Sequence, residues 1–165
     1  GNRTFQIKFT INPESEMTFD EKVTQVSNAL NGRERQIIFD RDSEYYWWGR
    51  LTVNEYLQDK NIKQITVTAN VEPYKYKIKE TQKTFTLSPE ETTIILKNGR
   101  KSVVPYIECT DDNTKVIFGG VGLAVEHTLN AGTHRFLDCI LREGENYVWI
   151  SGTGEITFRY REGDL

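Results

Sequence analysis

Apolar and polar residues alternate most regularly between Ile65 and Val71. Ile65, Val67, Ala69 and Val71 fall on one face of an extended segment, and the residues between them are polar. Because successive side chains of a strand point to opposite faces, this pattern predicts a β-strand with one face against a core. Pro73 has no N–H to give to a neighbouring strand, so we expect pairing to end there.

The segment before this strand, from Glu44 to Tyr56, is dense in aromatic and β-branched residues, which favour the pleated surface of a sheet. A polar turn at Gln58–Asn61 joins the two strands. An earlier strand is predicted over Arg3–Ile11, where apolar and polar residues again alternate, and a short one over Arg35–Phe39.

One amphipathic helix is predicted after the first strand. Thr18 and Glu21 have the spacing of a capping box, in which each side chain binds the other residue's backbone N–H. From Phe19 to Leu30 apolar residues recur every three or four positions, as on one face of a helix. Asn31-Gly32 supplies the left-handed residue that ends it. We expect this helix to pack on the strands.

The chain is therefore predicted to be mainly β with one helix, in two units. Residues 1–77 form an α+β unit, and the highly charged residues 78–83 form a linker. Residues 84–165 carry short strand signals between turn residues, which is typical of an antiparallel β-sandwich. Its strands are predicted at Thr84–Leu87, Thr92–Leu96, Val103–Cys109, Lys115–Phe118, Leu123–Leu129, Gly132–Ile140, Asn146–Ile150 and Gly154–Arg161.

Charge and composition exclude some functions. The formal net charge is −3, and basic residues are interleaved with acidic ones, so we expect no nucleic-acid partner. No apolar run approaches the ~20 residues of a membrane span, so no membrane contact is predicted. Gly119–Gly122 is rich in glycine, but no helix follows it, and a hairpin turn is expected there rather than a phosphate loop.

The cysteines and histidines do not form a recognisable site. Cys109 and Cys139 are expected to be reduced thiols, with a disulfide as the alternative. His127 and His134 lie outside any metal-ligand spacing, so no metal and no cofactor is predicted. On a strand over Gly132–Ile140, His134 and Cys139 would point to opposite faces, which disfavours a Cys–His pair. We expect no catalytic residues and no enzyme.

Aromatic residues give the candidate interaction sites. Tyr45 and Trp47 fall on one face of their strand, Tyr46 and Trp48 on the other, and Arg50 follows them. A central strand covered on both faces would explain this. The alternative is that one face meets another subunit, because Tyr, Trp and Arg are enriched in interface hot spots. We therefore predict a subunit interface at these five residues.

In the second unit, Tyr147, Trp149 and Tyr160 are the candidates for a face that binds a sugar or a protein partner. Tyr147 and Trp149 have the same parity on their strand, so they could form one aromatic platform. The alternative is that Trp149 lies in the core.

Four segments of the chain carry a family resemblance. They are Arg-Thr-Phe-Gln-Ile-Lys-Phe at 3–9, Tyr-Tyr-Trp-Trp-Gly-Arg-Leu at 45–51, Val-Glu-Pro-Tyr-Lys-Tyr at 71–76, and Gly-Thr-Gly-Glu-Ile-Thr-Phe-Arg-Tyr-Arg-Glu-Gly-Asp-Leu at 152–165. In order and spacing they resemble the distal tail proteins of siphophages that infect Gram-positive bacteria. The resemblance spans nearly the whole chain.

This resemblance implies a structural protein of the virion, located at the phage tail tip and, during assembly, in the cytoplasm of the bacterial host. Residues 1–77 would be part of a domain that forms a ring, expected to be hexameric, and residues 84–165 a galectin-like sandwich that docks baseplate and host-adsorption proteins. Members of the family usually carry several dozen residues before the strand at Arg3–Ile11, so the resemblance implies either a truncated start or a shortened relative.

A carbohydrate-binding sandwich is the alternative function, since galectin-like folds can bind sugars, although fold alone does not establish a ligand. A hydrolase is the third and weakest reading, because the sequence has no Gly-x-Ser-x-Gly elbow.

Overall fold

The computed structural model describes residues 1–11, 18–58, 63–119 and 124–165, without the side chains of 55–58 and 63. It is mostly β-strand with one helix, as predicted. The chain divides into two compact units, Gly1–Lys75 and Tyr76–Leu165. In the described residues no helix is both long and apolar enough to cross a membrane.

The first unit is a sheet with a helix against it. Its strands are ordered β1-β4-β3-β2, and the β1–β4 and β2–β3 pairs are antiparallel. A 3-10 turn at Asp40–Asp42 precedes β3. The elements are β1 Arg3–Thr10, α1 Phe19–Leu30, β2 Glu34–Ile37, β3 Tyr45–Gln58 and β4 Lys63–Lys77. The predicted turn at Gln58–Asn61 lies mostly outside the described residues.

The alternating strand is confirmed. Ile65, Val67, Ala69 and Val71 are fully buried in β4. They form one hydrophobic cluster with apolar residues of β1, of β3 and of α1, among them Phe19. The helix therefore covers the face of the sheet that the sequence pattern marks as apolar.

The helix begins at the predicted capping box. The Glu21 N–H donates to the Thr18 hydroxyl at 3.3 Å, and the Thr18 N–H donates to the Glu21 carboxylate at 2.7 Å. The bond from the Thr18 backbone holds the pKa of Glu21 below its ordinary value. Gly32 has a φ of +72°, which supplies the expected left-handed residue after the helix.

Two predicted boundaries were wrong. Pairing does not end at Pro73, because β4 continues to Lys77. The β1–β4 ladder already ends at the Arg3–Val71 pair, so the missing N–H of Pro73 costs that ladder nothing. The linker predicted at 78–83 is shorter, since β5 begins at Thr81.

The second unit is a sandwich of two four-stranded sheets, in the orders β10-β7-β12-β5 and β6-β11-β8-β9. Every pairing described within them is antiparallel. The inner faces share one core, which includes Leu96, Val148 and Phe158. The eight strands are β5 Thr81–Thr86, β6 Thr92–Asn98, β7 Tyr106–Cys109, β8 Thr114–Phe118, β9 Val125–Leu129, β10 Gly132–His134, β11 Gly144–Ser151 and β12 Glu155–Tyr160. A last short strand, β13 Gly163–Asp164, belongs to neither of these two sheets and pairs with β4.

The strand predicted over Gly132–Ile140 ends six residues early, at His134. The following segment folds into a turn, in which the Cys139 N–H donates to the Phe136 carbonyl at 3.1 Å. His134 and Cys139 therefore do not share a strand, and the expectation that they point to opposite faces of one does not apply. The predicted hairpin turn at Gly119–Gly122 lies mostly outside the described residues.

Candidate functional site

The aromatic strand β3 divides its rings between the core and the surface. Trp47 is 8% exposed, and its ring meets that of Phe5 edge to face at 5.1 Å. The guanidinium of Arg3 lies over the same ring at 5.0 Å. Trp47 pairs with Ile37, which is also buried. Trp47 therefore belongs to the core, and we remove it from the predicted subunit interface.

Trp48 faces the opposite way. It is 36% exposed and pairs with Gln36 of β2. Arg50 has the same parity and lies 3.3 Å from Glu34, in an ion pair that is exposed to water and contributes little to stability. Trp48 thus lies on the outer face of β3, beside the polar side chains of Gln36 and Arg50.

An open groove of about 430 Å³ surrounds Trp48. Its walls come from β2, β3 and β4 and from the residue before β1. Apart from Trp48 and the Gly49 backbone, every lining residue is polar or charged: Asn2, Glu34, Arg50, Asn70 and Glu72. A ring framed by polar groups is the composition of an interface hot spot rather than of a hydrophobic core.

The tyrosines at the start of β3 are half-buried. The ammonium of Lys75 lies 4.5 Å from the centre of the Tyr45 ring and 2.7 Å from the Asp42 carboxylate. Tyr45 is thus held by contacts within its own unit. Tyr46 shares the parity of Trp48 and lies on the same side of the strand.

In the second unit, the three aromatic residues predicted to bind a sugar or a partner are also divided between the core and the surface. Tyr160 is 2% exposed and its hydroxyl donates to the Lys97 carbonyl at 2.5 Å. It is a core residue and does not belong to the predicted face. Tyr147 is 49% exposed, and Trp149 is half-buried on the same face of β11.

Tyr147 and Trp149 line an open groove of about 580 Å³. Gly119 makes room for the indole, since a Cβ there would lie 2.5 Å from Trp149 Cζ3. Asn146 fixes the turn that carries Arg142. Its side-chain NH₂ donates to the Arg142 carbonyl at 2.8 Å, and its side-chain oxygen accepts from the Arg142 backbone N–H at 2.8 Å. The groove combines an aromatic wall with charged groups on a fixed turn.

The structure also assembles a cluster that the sequence did not suggest. His127, Asp138 and Cys139 each offer a ligand or acid–base atom, and these atoms lie within 4.8 Å of one another. Both cysteines are free thiols, as expected. Burial, and then the charge of Asp138, raise the pKa of Cys139 to about 12, and burial raises that of Cys109. Neither is a thiolate nucleophile at neutral pH.

Comparison with known proteins identifies a similar fold. The structure of the SPP1 Dit (gp 19.1) protein matches 98% of this chain and 79% of that chain, with a TM-score of 0.66 and 12% sequence identity. That protein is described as a paradigm of the hub adsorption apparatus in phages that infect Gram-positive bacteria. No protein-family model and no curated protein matches the sequence.

Proposed function

We propose that the chain is a non-catalytic structural protein of a phage tail tip. Its first unit forms a ring with other copies, and its sandwich docks host-adsorption proteins of the baseplate. The observation that carries this proposal is the likeness of fold to the SPP1 hub protein, which extends over both units and 98% of the chain. The four sequence segments that resemble siphophage distal tail proteins point to the same kind of protein.

The ring contact is proposed at the outer face of β3. Trp48 lies in a groove whose other side chains are polar, and burying its exposed part gains ~25 cal/mol per Å² of apolar area. Arg50 and Glu34 beside it can exchange their mutual ion pair for pairs across a subunit boundary. A heterologous contact whose rotation closes gives a ring rather than a filament.

Native mass spectrometry of the full-length protein tests the ring, with negative-stain electron microscopy of the same sample. We expect a closed species whose mass is six times that of one chain. The 165 residues of this sequence account for 19.2 kDa of each chain. A monomer at all accessible concentrations, with the fold intact, would contradict ring formation by this protein alone.

Carbohydrate binding by the second unit is a second candidate, favoured by the groove at Tyr147 and Trp149. Aromatic rings can stack on the apolar faces of sugars, while Arg142, Glu143 and Glu145 offer groups for hydroxyls. A glycan array tests it. Binding that is lost in Tyr147→Ala but kept in Tyr106→Ala, which truncates an exposed ring of the other sheet, would support a sugar site. Absence of binding would reject it.

A further inference from the structure

Three potential metal ligands of different chemistry converge at one edge of the sandwich. His127 Nε2 lies 3.1 and 3.2 Å from the two carboxylate oxygens of Asp138. The Cys139 thiol joins them, and the three ligand atoms lie within 4.8 Å of one another. None of these residues belongs to the aromatic grooves of either unit.

The fold positions each of the three. His127 lies on β9 with the parity of Leu129, whose side chain is buried in the core. The Phe136 ring stacks on the imidazole, with centroids 3.9 Å apart and planes 16° apart, and so restricts its rotation. The turn closed by the Cys139 N–H and the Phe136 carbonyl places Asp138 and Cys139 side by side.

The donor set selects among metals. The Cys139 thiol would release its proton to solvent as the metal–sulfur bond forms. The resulting thiolate with an imidazole suits Zn²⁺, whereas Mg²⁺ and Ca²⁺ take oxygen ligands. Tetrahedral zinc with bonds of about 2.0–2.3 Å keeps its ligand atoms about 3.3–3.7 Å apart. The ligand atoms here lie within 4.8 Å of one another, so the widest separation would have to close by about 1.1–1.5 Å.

We propose that His127, Asp138 and Cys139 bind one Zn²⁺ ion, with an open fourth position for water. Cys139 is fully buried and closes the inner side of the site, while the Asp138 side chain is 54% exposed and leaves the outer side accessible. His127 belongs to β9, the edge strand of one sheet, and the other two follow β10, the edge strand of the other sheet. The ion would thus connect the edge strand β9 of one sheet to the turn that follows the edge strand β10 of the other.

Two of the proposed ligands have a matched control residue in the chain, His134 for His127 and Cys109 for Cys139. His134 also stacks near Phe136, with centroids 5.9 Å apart, but its Nε2 lies 2.7 Å from the Asn130 carbonyl. Cys109 is buried like Cys139, but it lies on β7 and is not a member of the cluster. Substituting these two residues removes an imidazole or a thiol and leaves all three proposed ligands in place.

The first experiment uses the unmodified chain, reduced and freed of metal. Titration with Co²⁺ should give a thiolate-to-cobalt charge-transfer band that saturates at one ion per chain, and Zn²⁺ should abolish it. Zn²⁺ should also raise the melting temperature of the protein, and a chelator should reverse the shift, because an ion that binds the folded state stabilises it. Absence of the charge-transfer band would overturn the proposal and leave a His127–Asp138 ion pair.

The second experiment measures Zn²⁺ affinity by competition with a chromophoric chelator. His127→Gln and Cys139→Ser should each weaken binding at least tenfold, while His134→Gln and Cys109→Ser should leave it unchanged. Equal affinity in all four variants would overturn the assignment of ligands. Should Cys139→Ser fail to fold, as judged by the near-ultraviolet circular dichroism of Trp149, His127→Gln and the cobalt spectrum decide the question.

Discussion

The rings of Phe5 and Trp47 meet edge to face in the core of the first unit, with their centroids 5.1 Å apart and their planes 79° apart. This contact fixes the orientation of β3. Because the next residue of a strand points to the opposite face, it places Trp48 on the surface. Two adjacent tryptophans therefore have different roles, one in folding and one proposed for assembly.

Trp48→Ser should abolish the proposed oligomer of the protein and leave the fold intact, because the Trp48 ring is exposed and we propose that it contacts another copy. Light scattering measures the mass, and circular dichroism measures the fold. The matched variant Trp47→Ser should instead destabilise the first unit by about 3–5 kcal/mol, the usual cost of truncating a buried aromatic residue. An oligomer that survives Trp48→Ser would place the contact elsewhere.

Val67→Asp should unfold the first unit. Val67 is fully buried in β4 and pairs with Ile7 of β1, so the new carboxylate would lie among apolar side chains. Burying an unpaired charge costs several kcal/mol or forces its protonation. Thermal unfolding followed by circular dichroism checks this, with Thr66→Asp, on the opposite face of the same strand, as the control. A Val67→Asp protein with unchanged unfolding would show that the described register is wrong.

Gly49→Ala should destabilise the first unit although the change adds only a methyl group. A Cβ at Gly49 would lie 2.4 Å from the Asn70 carbonyl oxygen and 2.6 Å from the Val71 Cα, and these are backbone atoms that cannot rotate away. Overpacking of this kind costs about 1–3 kcal/mol. Denaturant unfolding measures the loss, and Thr52→Ala, at an exposed position of β3, provides the control. Equal stability of the two variants would contradict the close approach of β3 and β4.

The second unit should lose stability in alkaline solution through Tyr160. Burial, and then the Glu162 carboxylate, raise the pKa of Tyr160 from 10.0 to about 12. Since the folded pKa lies above the unfolded one, the neutral phenol stabilises the fold fully below about pH 10, and this contribution is lost as the pH rises towards 12. Urea unfolding across this range should show the loss in the unmodified protein.

Tyr160→Phe tests the cause, because it cannot ionise. It should reduce stability at neutral pH by about 1 kcal/mol, through loss of the hydrogen bond to the Lys97 carbonyl, and then vary less with pH than the unmodified protein. Identical dependence on pH in both proteins would mean that other groups control the alkaline transition.

Most of the strands could be predicted from the sequence, because the alternation of apolar and polar residues in a strand involves only residues that are close together in the chain. The alternation at Ile65–Val71 and the capping box at Thr18 and Glu21 depend only on neighbouring residues, and both are confirmed. The choice between Trp47 and Trp48 for the core could not be predicted, because both parities of β3 carry large rings. The helix and β1 decide it by covering one face.

The cluster of His127, Asp138 and Cys139 was missed for a related reason. Its members come from two segments, and they meet only because the chain leaves the strand after His134. The continuing apolar residues, Phe136 and Ile140, made that segment resemble a longer strand. Tyr160 was misplaced although the pattern of β12 indicates its position: it shares the parity of Ile156 and Phe158, which are buried, while Thr157 and Arg159 lie on the other face.

Gold-labelled antibodies against the chain, applied to tailed particles from the strain that encodes it, test the central claim most directly. If the chain is a structural protein of the tail tip, gold should bind at the end of the tail far from the capsid, and particles that lack the protein should remain unlabelled. Label on the capsid or along the tail tube, or no label on particles whose antigen is exposed by mild dissociation, would contradict the proposal.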